Sequence, residues 1–301
     1  METSLVSIIT PSYNQAQFIE DTLDSVRNQT YDDVEHIVMD GGSDDGTVEI
    51  LEEYEQYDDY DLRWVSEPDG GQSDAINRGF ERSDGDIVAW LNSDDVYFDV
   101  GVLRRVVEYF QRYSEDIIYG DLAYISKDST IEAVDVRPPF DATKLPYRIL
   151  IGQPATFFRG EVVAEERLRV DLHFSMDYEY WLRLARNYSF RHVEDVLAGF
   201  RAYEAQKSQD RKAMAAELRE VFKNYEYPDR GSIKTLLDNG QVEAARLARA
   251  AVVTYDLHRE LPPLAFDGRL LPLSTMVTNL GPGVGDVAKA FRRLRSEGQT
   301  G

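Results

Sequence analysis

Short apolar runs alternate with helix-periodic stretches through the first ninety residues. Residues 5–10 form a strand-length apolar run closed by Pro11-Ser-Tyr-Asn14, and Phe18, Ile19, Leu23 and Val26 then recur at helical spacing to about Asn28. A second strand over 34–39 ends in Asp40-Gly-Gly-Ser-Asp-Asp-Gly-Thr47, and the helix that follows carries Val48, Ile50 and Leu51. A short third strand over 62–65 leads through Glu67-Pro-Asp-Gly-Gly-Gln72 into a helix over 73–81. The fourth strand, 87–91, stops abruptly at Asn92, Ser93, Asp94 and Asp95. Strand–helix units joined by short loops predict βαβ crossovers and a mostly parallel central sheet flanked by helices, an α/β fold of nucleotide-binding type.

Beyond Asp95 the pattern changes. An amphipathic helix spans 102–110, a strand 117–121, and 123–125 with 131–136 alternate like a hairpin around Lys127-Asp128. Residues 147–152 and 153–158 follow. Tyr178, Trp181, Leu182 and Leu184 then supply the apolar face of a helix whose first turn holds Asp177, and closing strands fall at 190–193 and 196–201. From Gln206 the periodicity is helical, at Met214, Leu218, Val221 and Phe222 and again over 242–253, until Pro262-Pro263 breaks it. The expected division is therefore an α/β domain over 1–205 and a mainly helical extension over 206–301.

Composition narrows the function classes. With 43% hydrophobic residues in 301, the chain is globular with material for a core, and without cysteine it has neither disulfides nor thiolate metal sites. No basic leader and no apolar run of about 20 residues is visible. The expectation is a cytoplasmic protein, or one peripheral on the cytosolic face of a membrane. The net charge of −22 argues against nucleic acid as a partner. Lysine is scarce and the acids are spread widely rather than clustered, which predicts adaptation to a high-salt cytoplasm. Residues 287–295 are basic and amphipathic against this background. They read either as packing on their own domain or as peripheral contact with an anionic membrane carrying a lipid-linked acceptor.

The candidate chemistry lies at the strand ends. The first strand delivers Tyr13 and Asn14, the second Asp40, Ser43 and Asp45, the third the Gly70-Gly71 turn and Asp74, the fourth the Asn92–Asp95 cluster. In a parallel sheet these ends share one edge and converge on a crevice. The turns at Gly41-Gly42 and Gly70-Gly71 offer backbone N–H groups to phosphate or ribose oxygens. Adjacent carboxylates such as Asp94 and Asp95 need a compensating cation or proton, and a hard divalent metal sharing phosphate oxygens would serve. The competing reading has both simply opening a loop, with Asp99 capping a helix over 100–113.

Four segments together, Thr10-Pro-Ser-Tyr-Asn14, Val38-Met-Asp-Gly-Gly-Ser-Asp-Asp-Gly-Thr47, Ser66-Glu-Pro-Asp-Gly-Gly-Gln-Ser-Asp-Ala-Ile-Asn77 and Gly85-Asp-Ile-Val-Ala-Trp-Leu-Asn-Ser-Asp-Asp95, resemble the family 2 glycosyltransferases in order and spacing. The resemblance covers about the first two-thirds of the chain. It implies a GT-A fold and inverting transfer of a sugar from a nucleotide-sugar donor to a hydroxyl of a glycan or lipid-linked acceptor. By the same resemblance Pro11, Tyr13, Asn14, Asp40, Ser43, Asp45, Asp74 and Asn77 line or shape the nucleotide pocket, with Asp40 reading the base, and Arg201 contacts the diphosphate. Asn92-Ser-Asp94 takes the place of the family's metal-binding Asp-x-Asp, which implies Mg²⁺ or Mn²⁺ held by Asp94 with Asn92. Asp177 corresponds to the general base that deprotonates the acceptor. Tyr203 stands where the family often has His. The alternatives are a sugar-phosphate nucleotidyltransferase, whose basic Gly-rich loop after the first strand is missing here, and a non-catalytic nucleotide-sugar sensor.

Overall fold

The computed structural model describes residues 3–142, Leu145, 149–203 and 211–223, which belong to one compact unit. Strands β1 (Val6–Ser12), β2 (Val34–Asp40) and β4 (Ile87–Trp90) are buried on both faces, and the polar Ser7, Thr10, Glu35 and His36 of β1 and β2 are buried with their apolar neighbours. With the half-exposed edge strand β3 (Leu62–Ser66) they pair in parallel in the order β3-β2-β1-β4.

The crossovers are α1 (Ile19–Arg27), α2 (Thr47–Tyr54) and α3 (Gln72–Phe80). Alternate residues of β2 face opposite ways, as a pleated strand requires. Val38 meets Ile19, Leu23, Leu51 and Tyr54 from α1 and α2, while Ile37 and Met39 meet Ala75 of α3. The first half of the sheet is thus covered by helices on both sides. Gly79 lets α3 lie directly against β1, because a Cβ there would come 2.3 Å from Ile9 Cγ2.

The second half adds β5 (Val96–Tyr97), α4 (Val102–Arg112), β6 (Ile117–Ile125), β7 (Ile131–Asp135), β8 (Thr156–Arg159), α5 (Gly160–Glu165), α6 (Met176–Leu184), β9 (Phe190–Arg201) and α7 (Arg211–Lys223). Strand β8 runs antiparallel between β4 and β6, β9 runs parallel on the other edge of β6, and β5 closes the path antiparallel to β9. Strand β7 pairs with the far half of β6. Thus β1 to β4, β6 and β9 share one direction, and the sheet is mostly parallel as expected. Helix α4 buries Val102, Leu103, Val106, Val107 and Phe110 in a cluster with Ile118, Phe157 and Leu197.

Three details differ from the sequence reading. The two segments expected at 117–121 and 123–125 are one strand, β6, and those at 190–193 and 196–201 are one strand, β9. Polar Asp121 and Glu194-Asp195 imitate turns, but the structure absorbs them as register shifts in the β6–β9 ladder. Asp121 is satisfied in place by His192 Nε2 (2.8 Å) and the Arg137 N–H (2.8 Å). The two-residue β5 and the short α5 carry too little periodicity to be seen in sequence. The boundary drawn at 205/206, the helix at 242–253 and the basic stretch 287–295 lie outside the described residues, and α7 belongs to the same compact unit as the sheet.

Candidate active site

The carboxyl ends of β1, β2 and β4 open onto a cleft of about 750 Å³. Pro11 and Tyr13, at and just past the end of β1, line it, and the Tyr13 ring is 63% exposed, an apolar surface presented to whatever enters. At the end of β2 Asp40 is 2% exposed. Its Oδ2 accepts from the N–H groups of Gly42 (3.1 Å) and Ser43 (2.8 Å) and from the Ser66 hydroxyl (2.6 Å), while Oδ1 accepts from the Ser43 hydroxyl (2.5 Å). Asp40 and Ser43 therefore tie β2, β3 and the intervening glycine turn into one frame.

Other residues of the expected pocket do similar work behind the wall. Asn14 adopts a positive φ of 52°; its side chain accepts the Asp44 N–H (3.0 Å) and its own N–H donates to Ser43 Oγ (2.7 Å). Asp45 holds the first turn of α2 through the Thr47 hydroxyl (2.5 Å) and reaches the Ala16 N–H (3.0 Å). Partial burial works to raise its carboxyl, but these bonds outweigh it and leave it below its usual range. Asp74 accepts the Gly70 N–H (3.0 Å) and pairs with Arg78 (3.2 Å). Asn77 clamps Leu168 by accepting its N–H and donating to its carbonyl, both at 2.9 Å. These side chains shape the cleft without lining it.

The two adjacent carboxylates at the end of β4 part company. Asp94 lines the cleft, whereas Asp95 is fully buried and accepts from the Arg201 N–H (3.0 Å) and Asn92 Nδ2 (3.2 Å). Burial raises both carboxyls above the usual range, Asp95 far above because the Asp94 charge adds to it. Asn92 also lines the cleft, yet its amide is engaged on both ends: Gln72 Nε2 donates to Oδ1 (2.9 Å) and Nδ2 donates to Gln153 Oε1 (2.8 Å) as well as to Asp95. Asn92 is thus the hub of a buttress behind Asp94. Among the described residues no three carboxylates or histidines gather into a ready-made metal cage.

Arg201 does not line the cleft. It is fully buried, donating from Nε to the Asp94 carbonyl (2.8 Å), from Nη1 to the Lys127 carbonyl (2.7 Å) and Ser129 Oγ (3.0 Å), and from Nη2 to Asp21 (2.8 Å). Its guanidinium stacks over Phe18 at 4.9 Å. These bonds make the Arg201 side chain a brace that locks β9 and the β6–β7 turn to the loop holding Asp94. Two residues on, the Tyr203 hydroxyl does reach the cleft and donates to Asp94 Oδ2 (3.1 Å). That bond depends on the short β5–β9 ladder, Val96 opposite Gly199 and Tyr97 opposite Ala198.

Asp177 faces the same cleft from the first turn of α6. The helix is anchored from below and from behind. Trp181 stacks on Trp90 of β4 (5.5 Å, 13°) and on Phe158 of β8 (5.7 Å, 17°), so α6 and the strand that delivers Asp94 share one aromatic core. Glu217 of α7 accepts the N–H groups of His173 (2.6 Å), Phe174 (2.7 Å) and Ser175 (2.9 Å), three consecutive donors just ahead of the helix. Sequence reasoning did not single out Gln72, Gln153, His173 or Glu217. Gln72 lies inside a quoted motif that gives it no role, and Gln153, His173 and Glu217 have no motif around them to signal their contacts before the chain is folded.

An open α/β sheet of this order, with a nucleotide-sized cleft at its carboxyl edge and an acid-bearing loop after β4, is the GT-A glycosyltransferase architecture. The mannosyltransferase PcManGT from Pyrobaculum calidifontis, in complex with GDP-Man and Mn²⁺, superposes with a TM-score of 0.61 at 19% identity, over 93% of this chain and 80% of that one. TarS from S. aureus, in complex with UDP-GlcNAc, gives a TM-score of 0.60 at 16% identity, over 73% and 64%. Residues 7–163 match the family described as Glycosyl transferase family 2, and the chain belongs to that family. An uncharacterized glycosyltransferase of Mycobacterium tuberculosis is 34% identical over 185 residues, 60% of this chain and 68% of the relative. The putative teichuronic acid biosynthesis glycosyltransferase TuaG of Bacillus subtilis is 36% identical over 126 residues, 42% of this chain and 50% of the relative. Among the described residues no helix is long and apolar enough to cross a membrane.

Proposed function

We propose that this glycosyltransferase moves a sugar from a nucleotide-sugar donor to a hydroxyl of a surface glycan or lipid-linked acceptor, with inversion and with a divalent cation. The charge inventory of the cleft carries the cation requirement. Asp69, Asp94 and Asp177 line it, and among the described residues no Lys or Arg does. An anionic diphosphate placed among three carboxylates is repelled, the more so where water is thinned out.

Asp94 fits the need, since Mg²⁺ and Mn²⁺ sites in phosphate chemistry use one or two protein carboxylates and complete their shells with phosphate oxygens. A cation bound there would supply Lewis-acid charge to the diphosphate leaving group. Asn92 holds the loop that presents Asp94, and Tyr203 orients its carboxylate. Pro11 and Tyr13 form the surface for the base and ribose, on the frame held by Asn14, Asp40, Ser43, Asp45, Asp74 and Asn77. Asp177 takes the proton of the acceptor hydroxyl as its oxygen attacks the anomeric carbon and the bond to the diphosphate breaks. Holding both substrates in line accounts for much of the expected acceleration. GDP-Man with Mn²⁺ and UDP-GlcNAc in proteins of the same fold support a nucleotide-sugar donor. TuaG supports a cell-envelope acceptor.

Asp94→Asn tests the reading, because it keeps the Tyr203 hydrogen bond and removes the charge. Calorimetry with a panel of nucleoside diphosphates should show Mn²⁺-stimulated binding in the wild type and none in the variant, with melting temperatures alike. A variant that binds diphosphate and Mn²⁺ as well as wild type places the cation elsewhere.

A further inference from the structure

Two parts of the cleft wall that are far apart in sequence meet at Gly71. This glycine, at φ +102°, ends the turn that opens into α3, and the helix start has no side-chain cap. A Cβ built on Gly71 would find one neighbour within 4 Å, the His173 Nδ1 at 4.0 Å. The imidazole therefore stands beside a turn whose own N–H groups are already taken by carboxylates, Gly71 by Asp69 Oδ1 (2.7 Å) and Gly70 by Asp74 Oδ2 (3.0 Å), so positive charge for an anion at this point of the wall has to come from a side chain. Among the described residues lining the cleft, His173 is the only side chain that can carry positive charge. Its backbone is fixed, since its N–H donates to Glu217 Oε1 (2.6 Å) and the next two N–H groups bind the same carboxylate. Its ring has no hydrogen-bond partner among the described residues and is exposed. A fixed backbone and an exposed ring that makes no hydrogen bond among the described residues, with the Asp171 carboxylate within reach of its charge, suit a ligand contact better than a packing role.

We propose that His173 is a diphosphate-binding residue, its ring N–H donating to a phosphate oxygen of the bound nucleotide beside the Gly71 turn. The assignment rests on the nucleotide-sugar reading of the cleft. It also gives Gly71 a reason beyond its dihedral angle: a side chain there would reach the imidazole, whose Nδ1 lies 4.0 Å from a Cβ at that position.

The test uses the full chain at one salt concentration and titrates UDP, GDP, ADP, CDP and dTDP with Mn²⁺. For whichever diphosphate binds the wild type, His173→Ala should weaken binding about tenfold, the loss of one charge-assisted hydrogen bond. His173→Lys, which restores a cation, should recover most of it. The matching nucleoside, followed by ligand-observed NMR, should bind wild type and His173→Ala alike. Unchanged diphosphate affinity in His173→Ala overturns the proposal. So does an equal loss for nucleoside and diphosphate, which would mean a general deformation of the cleft. If none of the five binds the wild type, the donor reading fails first and the His173 assignment falls with it.

Discussion

Asp94 and Asp95 are chemically identical neighbours with opposite fates, and what separates them is which way each points at the end of β4. Asp94 meets the cleft and a phenol; Asp95 meets a backbone N–H, an amide and the buried Arg201 network. The two acids in the first turn of α6 divide in the same manner. Asp177 lines the cleft, whereas Glu179 is 9% exposed and paired with Arg183 (3.1 Å), which also binds Glu166. If Asp177 is the base, Asp177→Asn should lower turnover by about 10²–10⁴-fold while affinity for the donor stays near wild type. Glu179→Gln should leave turnover close to normal. Product nucleoside diphosphate release and donor binding, measured on both variants in the same salt, check this. Near-normal turnover in Asp177→Asn would remove the base from this position.

At the scale of elements, the site is held by helices that sit unusually close to the sheet or are pinned to it. Gly79 is the clearest case. In an exposed helix interior Gly→Ala stabilises by about 0.5–1 kcal/mol. Here the new methyl would stand 2.3 Å from Ile9 Cγ2 and 2.9 Å from Cγ1, inside a wall with no slack. Overpacking of that kind costs about 1–3 kcal/mol and outweighs the propensity gain. Gly79→Ala should therefore lower the urea midpoint, and because α3 begins at the Gly70-Gly71 turn it should also weaken diphosphate binding. A stabilised Gly79→Ala would mean that α3 can shift off β1 at little cost.

At the scale of the whole molecule the charge of −22 dominates. Ion pairs such as Arg105 with Asp99 (2.9 Å) and Asp195 (2.6 Å) relieve it locally, but acids outnumber bases 55 to 33. Salt weakens those pairs a little and the general repulsion a great deal, since the screening length falls from about 10 Å at 0.1 M to about 3 Å at 1 M. The unfolding temperature is expected to climb steeply between dilute buffer and molar salt. Equal stability in both would overturn the high-salt reading and leave the enzyme assignment untouched.

Periodicity and composition are local properties, and they determined what is local here: the alternation of strands and helices up to Trp90, the parallel sheet, and the edge on which Tyr13, Asp40 and Asp94 come together. The motifs at the strand ends, matched against a known family, determined the reaction class. Direction and long-range pairing belong to the tertiary structure. It decided that Asp40, Asn77 and Arg201 brace the site, that Asp94 and Asp95 diverge, and that Tyr203 meets Asp94 across 109 residues of chain. It also joined Glu217 to His173 and set His173 over Gly71. None of these has a period or a spacing, because each depends on strand register and on helix–sheet contacts that exist only once the chain has closed on itself. The bulged β6–β9 ladder shows the same limit from the other side, since polar residues that look like turns in sequence are held in an extended pair by partners the sequence does not place beside them.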